Sequence, residues 1–203
     1  MSSPNLVRLF LRSWRLIALS TLVGLVLAIG FSLVQPLRYS SSVRLLITYT
    51  NVTGLDPYTA VKSTERIAQN LSEIVYTSSF FNAVMADSSI DASYFPTDEI
   101  SKRAKWRDTV ETSVSAGTGV MTVTAYHPNR DQATAIVVRV AQEIANQAPN
   151  FFGYSVRVQI IDDPLPSRFF AKPDFIQNAI FGALIGLLAS SAWVLGRRRG
   201  AEM

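Results

Sequence analysis

Two stretches of the chain carry no charge. Leu16 to Val34 (LIALSTLVGLVLAIGFSLV) runs for 19 positions and Ile176 to Leu195 (IQNAIFGALIGLLASSAWVL) for 20. Crossing the roughly 30 Å hydrocarbon core of a bilayer takes about 20 helical residues at 1.5 Å each. Both stretches therefore predict transmembrane helices, at residues 16–35 and 176–196. Between them the period changes. YSSSVRLLITYT, from Tyr39 to about Thr50, has the Val, Ile, Thr and Tyr content of a strand. NVTGLDP is a loop, broken by Gly and Pro. From Thr59, the positions of Ala60, Thr64, Ile67, Ala68, Leu71, Ile74 and Val75 follow a helical rhythm. YTSSFF interrupts it, with Ser78 or Ser79 suited to cap a shorter helix reaching Met85.

After the polar stretch ADSSIDASYFP, Thr97-Asp98-Glu99 opens a short helix to about Asp108. VETSVSAGTGVMTVTAY reads as a hairpin around a three-residue loop, Gly117-Thr118-Gly119. The clearest helix follows. Asn129 and Gln132 resemble a capping box, and Ala133, Ile136, Val137, Val140 and Ile144 form one apolar stripe. YSVRVQIID is a returning strand, expected beside the first one and antiparallel to it. The predicted fold is an α+β domain over 36–175, with about four strands and packed helices, hung between the two spans.

Charge orients this arrangement. Arg8, Arg12 and Arg15 precede the first span, and Arg197, Arg198 and Arg199 follow the second. Short flanks rich in Lys and Arg stay cytoplasmic. Residues 1–15 and 197–203 are thus expected inside, and the central domain outside. Trp14 and Trp193 fall near the two cytoplasmic boundaries, where indoles favour the headgroup zone. Ala28-Ile29-Gly30 resembles a signal-peptide cleavage site. The apolar run continues past it to Val34, longer than the roughly 7–15 residues of a secretory h-region, so an uncleaved anchor is expected.

The formal net charge of +4 then stops pointing to nucleic acid. Residues 37–174 hold 13 Lys and Arg against 14 Asp and Glu, a net of −1, so the basic excess lies at the ends. A nucleic-acid footprint needs a basic stripe on the folded domain. With no cysteine, thiolate metal sites and cysteine nucleophiles are excluded, and a domain of this size can bury a core without disulfides.

The order of these elements resembles the chain-length determinant family, the polysaccharide co-polymerases, and particularly its short-ectodomain capsular and exopolysaccharide kind. The resemblance rests on the Arg-flanked first span, the strand directly after it and the helix carrying YTSSFF. It continues through VTAYHPNRDQATAIVVRVAQEIANQ to the strand, Pro-rich segment and Gly-bearing span of VQIIDDPLPSRFFAKPDFIQNAIFGALIGL. The family's juxtamembrane prolines usually stand three residues apart; here they are Pro164, Pro166 and Pro173. The tyrosine-kinase domain fused to some relatives, with its Walker A loop and tyrosine-rich tail, is missing.

The resemblance implies a non-catalytic homo-oligomer, in a ring, in a bacterial inner or plasma membrane. It would regulate polysaccharide length, polymerisation or export through a polymerase, the growing glycan and membrane lipid. One alternative is an adaptor that activates a separate cytoplasmic tyrosine kinase. Another is a sensor or scaffold ectodomain of a different envelope complex, although the few residues after Arg199 leave no room for an output domain.

Candidate site residues each carry two readings. Pro164, Pro166 and Pro173 form either a stiff juxtamembrane connector or an ordinary linker. Gly182 and Gly186, with Gly24 and Ala28 on the first span, offer close-approach faces for helices of one chain or of neighbouring protomers. Lys102, Arg103, Lys105 and Arg107 surround Trp106, a set able to stack on a sugar or hold an acidic group or lipid phosphate. The same residues suit a solvated helix face with one anchoring aromatic. His127 stands before a helix without metal-ligand spacing, and the adjacent Asp162 and Asp163 on a strand end point apart. Asn51-Val52-Thr53 and Asn70-Leu71-Ser72 match sequons, a pattern of low specificity. Without a nucleophile, base and orienting group in one set, neither catalysis, a cofactor nor a metal is expected.

Overall fold

The computed structural model describes residues 13–49, 56–153 and 156–199. The chain forms two compact units, one built from its terminal segments and one running from Leu37 to Ala171.

The first unit is a pair of helices, α1 (Trp14–Val34) and α6 (Phe175–Arg199). At 21 residues α1 is about 32 Å long, enough to cross the hydrocarbon core. Both helices are long and apolar enough to cross a membrane. Their large apolar residues face outward: Leu19, Leu27 and Phe31 on α1, and Phe181, Ile185 and Leu188 on α6, are all exposed. What lies between the helices is small. Ser32, Gly182, Gly186 and Ser190 are buried, with Val194 the one larger residue among them. The buried hydroxyls bond within the unit: Ser190 Oγ donates to the Gly186 carbonyl (2.9 Å), and Asn178 Nδ2 donates to Ser32 Oγ (2.8 Å).

The second unit is an α+β domain on a five-stranded antiparallel sheet. Its elements are β1 (Tyr39–Tyr49), α2 (Pro57–Ile74), α3 (Ser78–Met85), a 3-10 turn (Ala92–Tyr94) and α4 (Glu99–Thr109). Then come β2 (Val110–Val114), β3 (Val120–His127), α5 (Arg130–Phe152), β4 (Val156–Ile160) and β5 (Leu165–Pro166). The sheet order is β2-β3-β1-β4, with β5 also on β1. Tyr39 pairs with His127 and Tyr49 with Val156, so the first and last long strands are antiparallel neighbours, as the sequence implies.

Alternation decides the core. Ser41, Val43, Leu45 and Ile47 of β1, and Met121, Val123 and Ala125 of β3, are buried on one face. The stripe Ala133, Ile136, Val137, Val140 and Ile144 of α5 lies on that face and is wholly buried. Ala68, Leu71 and Val75 extend the same core from α2 and its C-cap.

Several boundaries depart from the pattern reading. Asp56 caps α2 by accepting from the Tyr58 (3.0 Å) and Thr59 (3.1 Å) amides, so the helix starts at Pro57, two residues early, where proline lacks only an orphan donor. Thr77, and neither Ser78 nor Ser79, caps α3, through the Phe80 amide. The hairpin loop runs from Ser115 to Gly119, longer than the three residues expected, and is closed by the Ser115 amide donating to the Val120 carbonyl (2.9 Å). Gly117 is there for its φ of 68°. Gly119 has another reason: a Cβ would strike the Ile47 carbonyl, while the Ile47 amide donates to the Gly119 carbonyl (2.8 Å).

The capping box at α5 is only half made. Asn129 Oδ1 accepts from the Asp131 amide, but Gln132 turns away to bond Ser89 and Asp91, and His127 Nδ1 takes the Asn129 amide instead (3.0 Å). The fifth strand, β5, was outside the expectation of about four, because two residues show no alternation.

Candidate functional site

The segment after β4 does not hang free. The Ile161 amide donates to the Arg44 carbonyl (3.0 Å), β5 pairs with Ser41 and Ser42, and the Ser167 amide donates to the Ser40 carbonyl (2.7 Å). Ser167 Oγ accepts from the Ser40 amide, and the Ala171 amide donates to the Arg38 carbonyl (2.7 Å). Phe170 lies 4.6 Å from the Tyr39 ring. Pro164 and Pro166 thus belong to a strap fastened along β1, with Pro166 opposite Ser41. Pro173 is in the helix-pair unit, after a cis bond from Lys172. Beside the strap, Arg38 grips both carboxylate oxygens of Asp108 (2.7 and 3.1 Å).

The glycines expected at a helix face meet within this one chain. A Cβ on Gly24 would enter the Gly182 carbonyl, one on Gly182 would strike Ala28, and one on Gly186 would strike the Ser20 backbone. Gly24, Ala28, Gly182 and Gly186 therefore form a single contact between α1 and α6. Of the topology arginines, Arg8 and Arg12 lie outside the described residues, as does the Asn51 sequon. Arg15 stands over the Trp14 ring at 5.8 Å, and Arg197, Arg198 and Arg199 close α6.

Trp106 does not offer a stacking surface, which removes the sugar-stacking reading of the 102–107 cluster and keeps that of one anchoring aromatic on a charged helix face. It is 1% exposed, donates its indole N–H to the Val75 carbonyl (2.8 Å) and meets Phe81 edge-on at 5.2 Å. An indole on a short charged helix is the largest apolar group available to anchor that helix, and burial removes it from the surface. The surrounding cations are engaged too. Lys102 and Arg103 both hold Glu99 (2.6 and 3.0 Å), Lys105 sits over the Tyr94 ring at 4.2 Å and Arg107 over Tyr76 at 5.5 Å. Hydrogen bonds from Lys102, then Ser78 and Arg103, pull the Glu99 carboxyl down to about 2.

His127 is 6% exposed, and burial holds its imidazole below the ordinary value, partly opposed by its bond to Asn129. Its Nε2 and the Tyr94 hydroxyl are buried without a partner among the described residues, their rings 4.2 Å apart. Desolvation and the Glu111 carboxylate, which accepts the Tyr126 hydroxyl (3.0 Å), push Tyr126 up to about 12.

A combination of aromatics and cations lies elsewhere, in a groove of about 630 Å³ lined by the exposed Tyr58, Lys62 and Arg66 and the half-buried Tyr49 and Phe152. Sequence pattern missed it because its residues come from β1, α2 and the end of α5, although Tyr58, Lys62 and Arg66 stand at a helical i, i+4, i+8 spacing.

No family model matches the chain, and no curated protein matches it.

Proposed function

We propose that this is a non-catalytic membrane protein of the chain-length determinant kind, acting on the length, polymerisation or export of a bacterial surface polysaccharide. The observation that carries the reading is the pairing of an α+β domain with two flanking apolar helices whose packing is inverted, large side chains outward and glycines inward. The order of strand, helix, hairpin, long helix, strand and proline strap agrees with the resemblance in the sequence. The arginine flanks put both ends in the cytoplasm and the domain outside. In this reading the protein assembles as a homo-oligomer and meets a polymerase and its growing glycan.

In this reading the strap is a mechanical element: it ties the end of the domain to the strand on which the domain begins. The test is the glycan length distribution of a deletion strain, with complementation by the intact gene. An altered or lost distribution, restored on complementation, is expected. An unchanged distribution in the deletion strain overturns the proposal. Reporter fusions at Ser3 and Ala201 are expected to read cytoplasmic and one at Gly117 extracytoplasmic.

A further inference from the structure

We propose that the groove between β1, α2 and the end of α5 is a binding site for an acidic saccharide segment, an inference that rests on the polysaccharide reading above. Tyr58, Lys62 and Arg66 form one row along α2, and Thr59 and Ser63 place hydroxyls beside it. Tyr49 and Phe152 close the groove from β1 and α5. Tyr58 is 77% exposed, although it stands in the first turn of a helix where any polar residue would serve. Single exposed aromatics are ordinary, but aromatics converging with cations on one concavity are the pattern of a binding surface.

The charges say what fits. Asp56 is occupied by its cap bonds, and Glu65 is buried and held by Lys62 (3.2 Å). Arg66 is exposed and makes no hydrogen bond or ion pair with another described residue. A guanidinium left open beside aromatic rings matches a carboxylate with bidentate geometry. A uronic acid residue presents that carboxylate on a pyranose whose C–H face is apolar enough to lie against a ring. Its remaining hydroxyls would meet Thr59 and Ser63. A lipid phosphate shares the negative charge but lacks the apolar pyranose face that the rings of Tyr49, Tyr58 and Phe152 would meet.

The test uses the full chain in lipid nanodiscs, with hyaluronan hexasaccharide and hexagalacturonate as probes and maltohexaose as the neutral counterpart, followed by calorimetry. Binding of at least one acidic probe about tenfold tighter than maltohexaose is expected. Arg66→Gln and Tyr58→Ala are each expected to weaken it by about tenfold, while Arg103→Gln, on the already engaged α4 cluster, leaves it unchanged. Both groove variants should keep the wild-type circular dichroism and melting, since neither side chain is buried. Equal affinity for maltohexaose, no binding of either acidic probe, or wild-type affinity in Arg66→Gln overturns the site. So does loss of self-association in Tyr58→Ala with saccharide binding intact, which would make the groove a protein interface. The wider reading is judged separately by the deletion strain. A length defect there without groove affinity removes only the site, and groove affinity without a length defect removes only the length role.

Discussion

In the sheet domain, large apolar side chains are inside. Leu45, Ile47, Phe80, Trp106, Met121 and Ile136 are all at or below 1% exposed. In the helix pair the same kinds of residue are mostly outside: Leu27 and Phe31 are both 67% exposed, while the buried helix positions go to glycine and serine apart from Val194. Water drives apolar surface inward in one unit. The two helices of the other unit are long and apolar enough to cross a membrane, and a lipid surround removes that drive, leaving close backbone approach and dispersion to bring small residues inward. One chain uses two packing rules, each suited to a different solvent, and hydrophobicity alone does not say which residues are structural.

Substitutions that exchange the two rules test the contrast most directly. The largest effect is expected from Trp106→Ala, at about 3–5 kcal/mol, because it opens a cavity and leaves the Val75 carbonyl without its donor. Ile136→Ala on the α5 stripe should follow at about 2–5 kcal/mol. Leu27→Ala, an equally apolar truncation on the outward face of α1, should cost far less. Chemical denaturation of the full-length protein in detergent would read all three. Comparable losses at Leu27 and Ile136 would mean that α1 is an ordinary core helix.

The reverse experiment enlarges small residues. Gly182→Leu with Gly186→Leu drives side chains into the backbone of α1 and should destabilise the pair by about 1–3 kcal/mol or more. Gly30→Leu, with open space around it, should be tolerated. Since the chain has no cysteine, Ser32→Cys with Asn178→Cys supplies a clean reporter. An intrachain disulfide is expected in an otherwise unchanged background and should fall in the double-leucine variant. Disulfide dimers in its place would assign the glycine face to contacts between protomers.

A smaller effect is expected at the strap. Pro164→Ala with Pro166→Ala leaves every strap-to-β1 hydrogen bond available, so melting should move little, by about 1 kcal/mol or less. Phe170→Ala, which removes the ring packed on Tyr39, should loosen the strap more, as amide exchange at Ser167 and Ala171 would show. If the strap's attachment to β1 matters for length control, Phe170→Ala shifts glycan length more than the proline pair. The reverse ranking would return the stiffness to the prolines.

The smallest effect is a pH dependence. Because burial depresses the folded-state value of His127, its neutral form is the one the fold accepts. The unfolded chain takes up this proton first. Stability from this group is therefore full above about 6.5 and declines as pH falls below that toward the folded value. His127→Asn keeps an acceptor for the Asn129 amide without a titrating ring. Melting of the full-length protein between pH 7.5 and pH 5.5 should fall for the wild type and flatten in the variant. Identical slopes would exclude His127 as the source.

Periodic elements were legible in the sequence because their signal is local. The α5 stripe, the β1 and β3 alternation and the uncharged stretches of α1 and α6 each repeat one rule over many residues. Trp106 stayed between two readings for a related reason: four cations within five residues of one another advertise solvent, and a single aromatic among them leaves no periodic trace of burial. Gln132 shows the same limit. The spacing of a capping box was present, but a partner 43 residues away in sequence, the Ser89 carbonyl, claimed the amide.

By itself the sequence determined which segments are helix or strand, which stretches suit lipid, and the sign of the charge at each end. Those properties depend on side chains near one another along the chain. Only the tertiary structure decided that the proline segment is fastened to β1, that the glycines of α1 and α6 meet within one chain, and that the exposed Tyr58 and the half-buried Tyr49 and Phe152 converge with Lys62 and Arg66. Each of those rests on residues far apart in sequence, brought together by antiparallel pairing and packing whose partners no local pattern names.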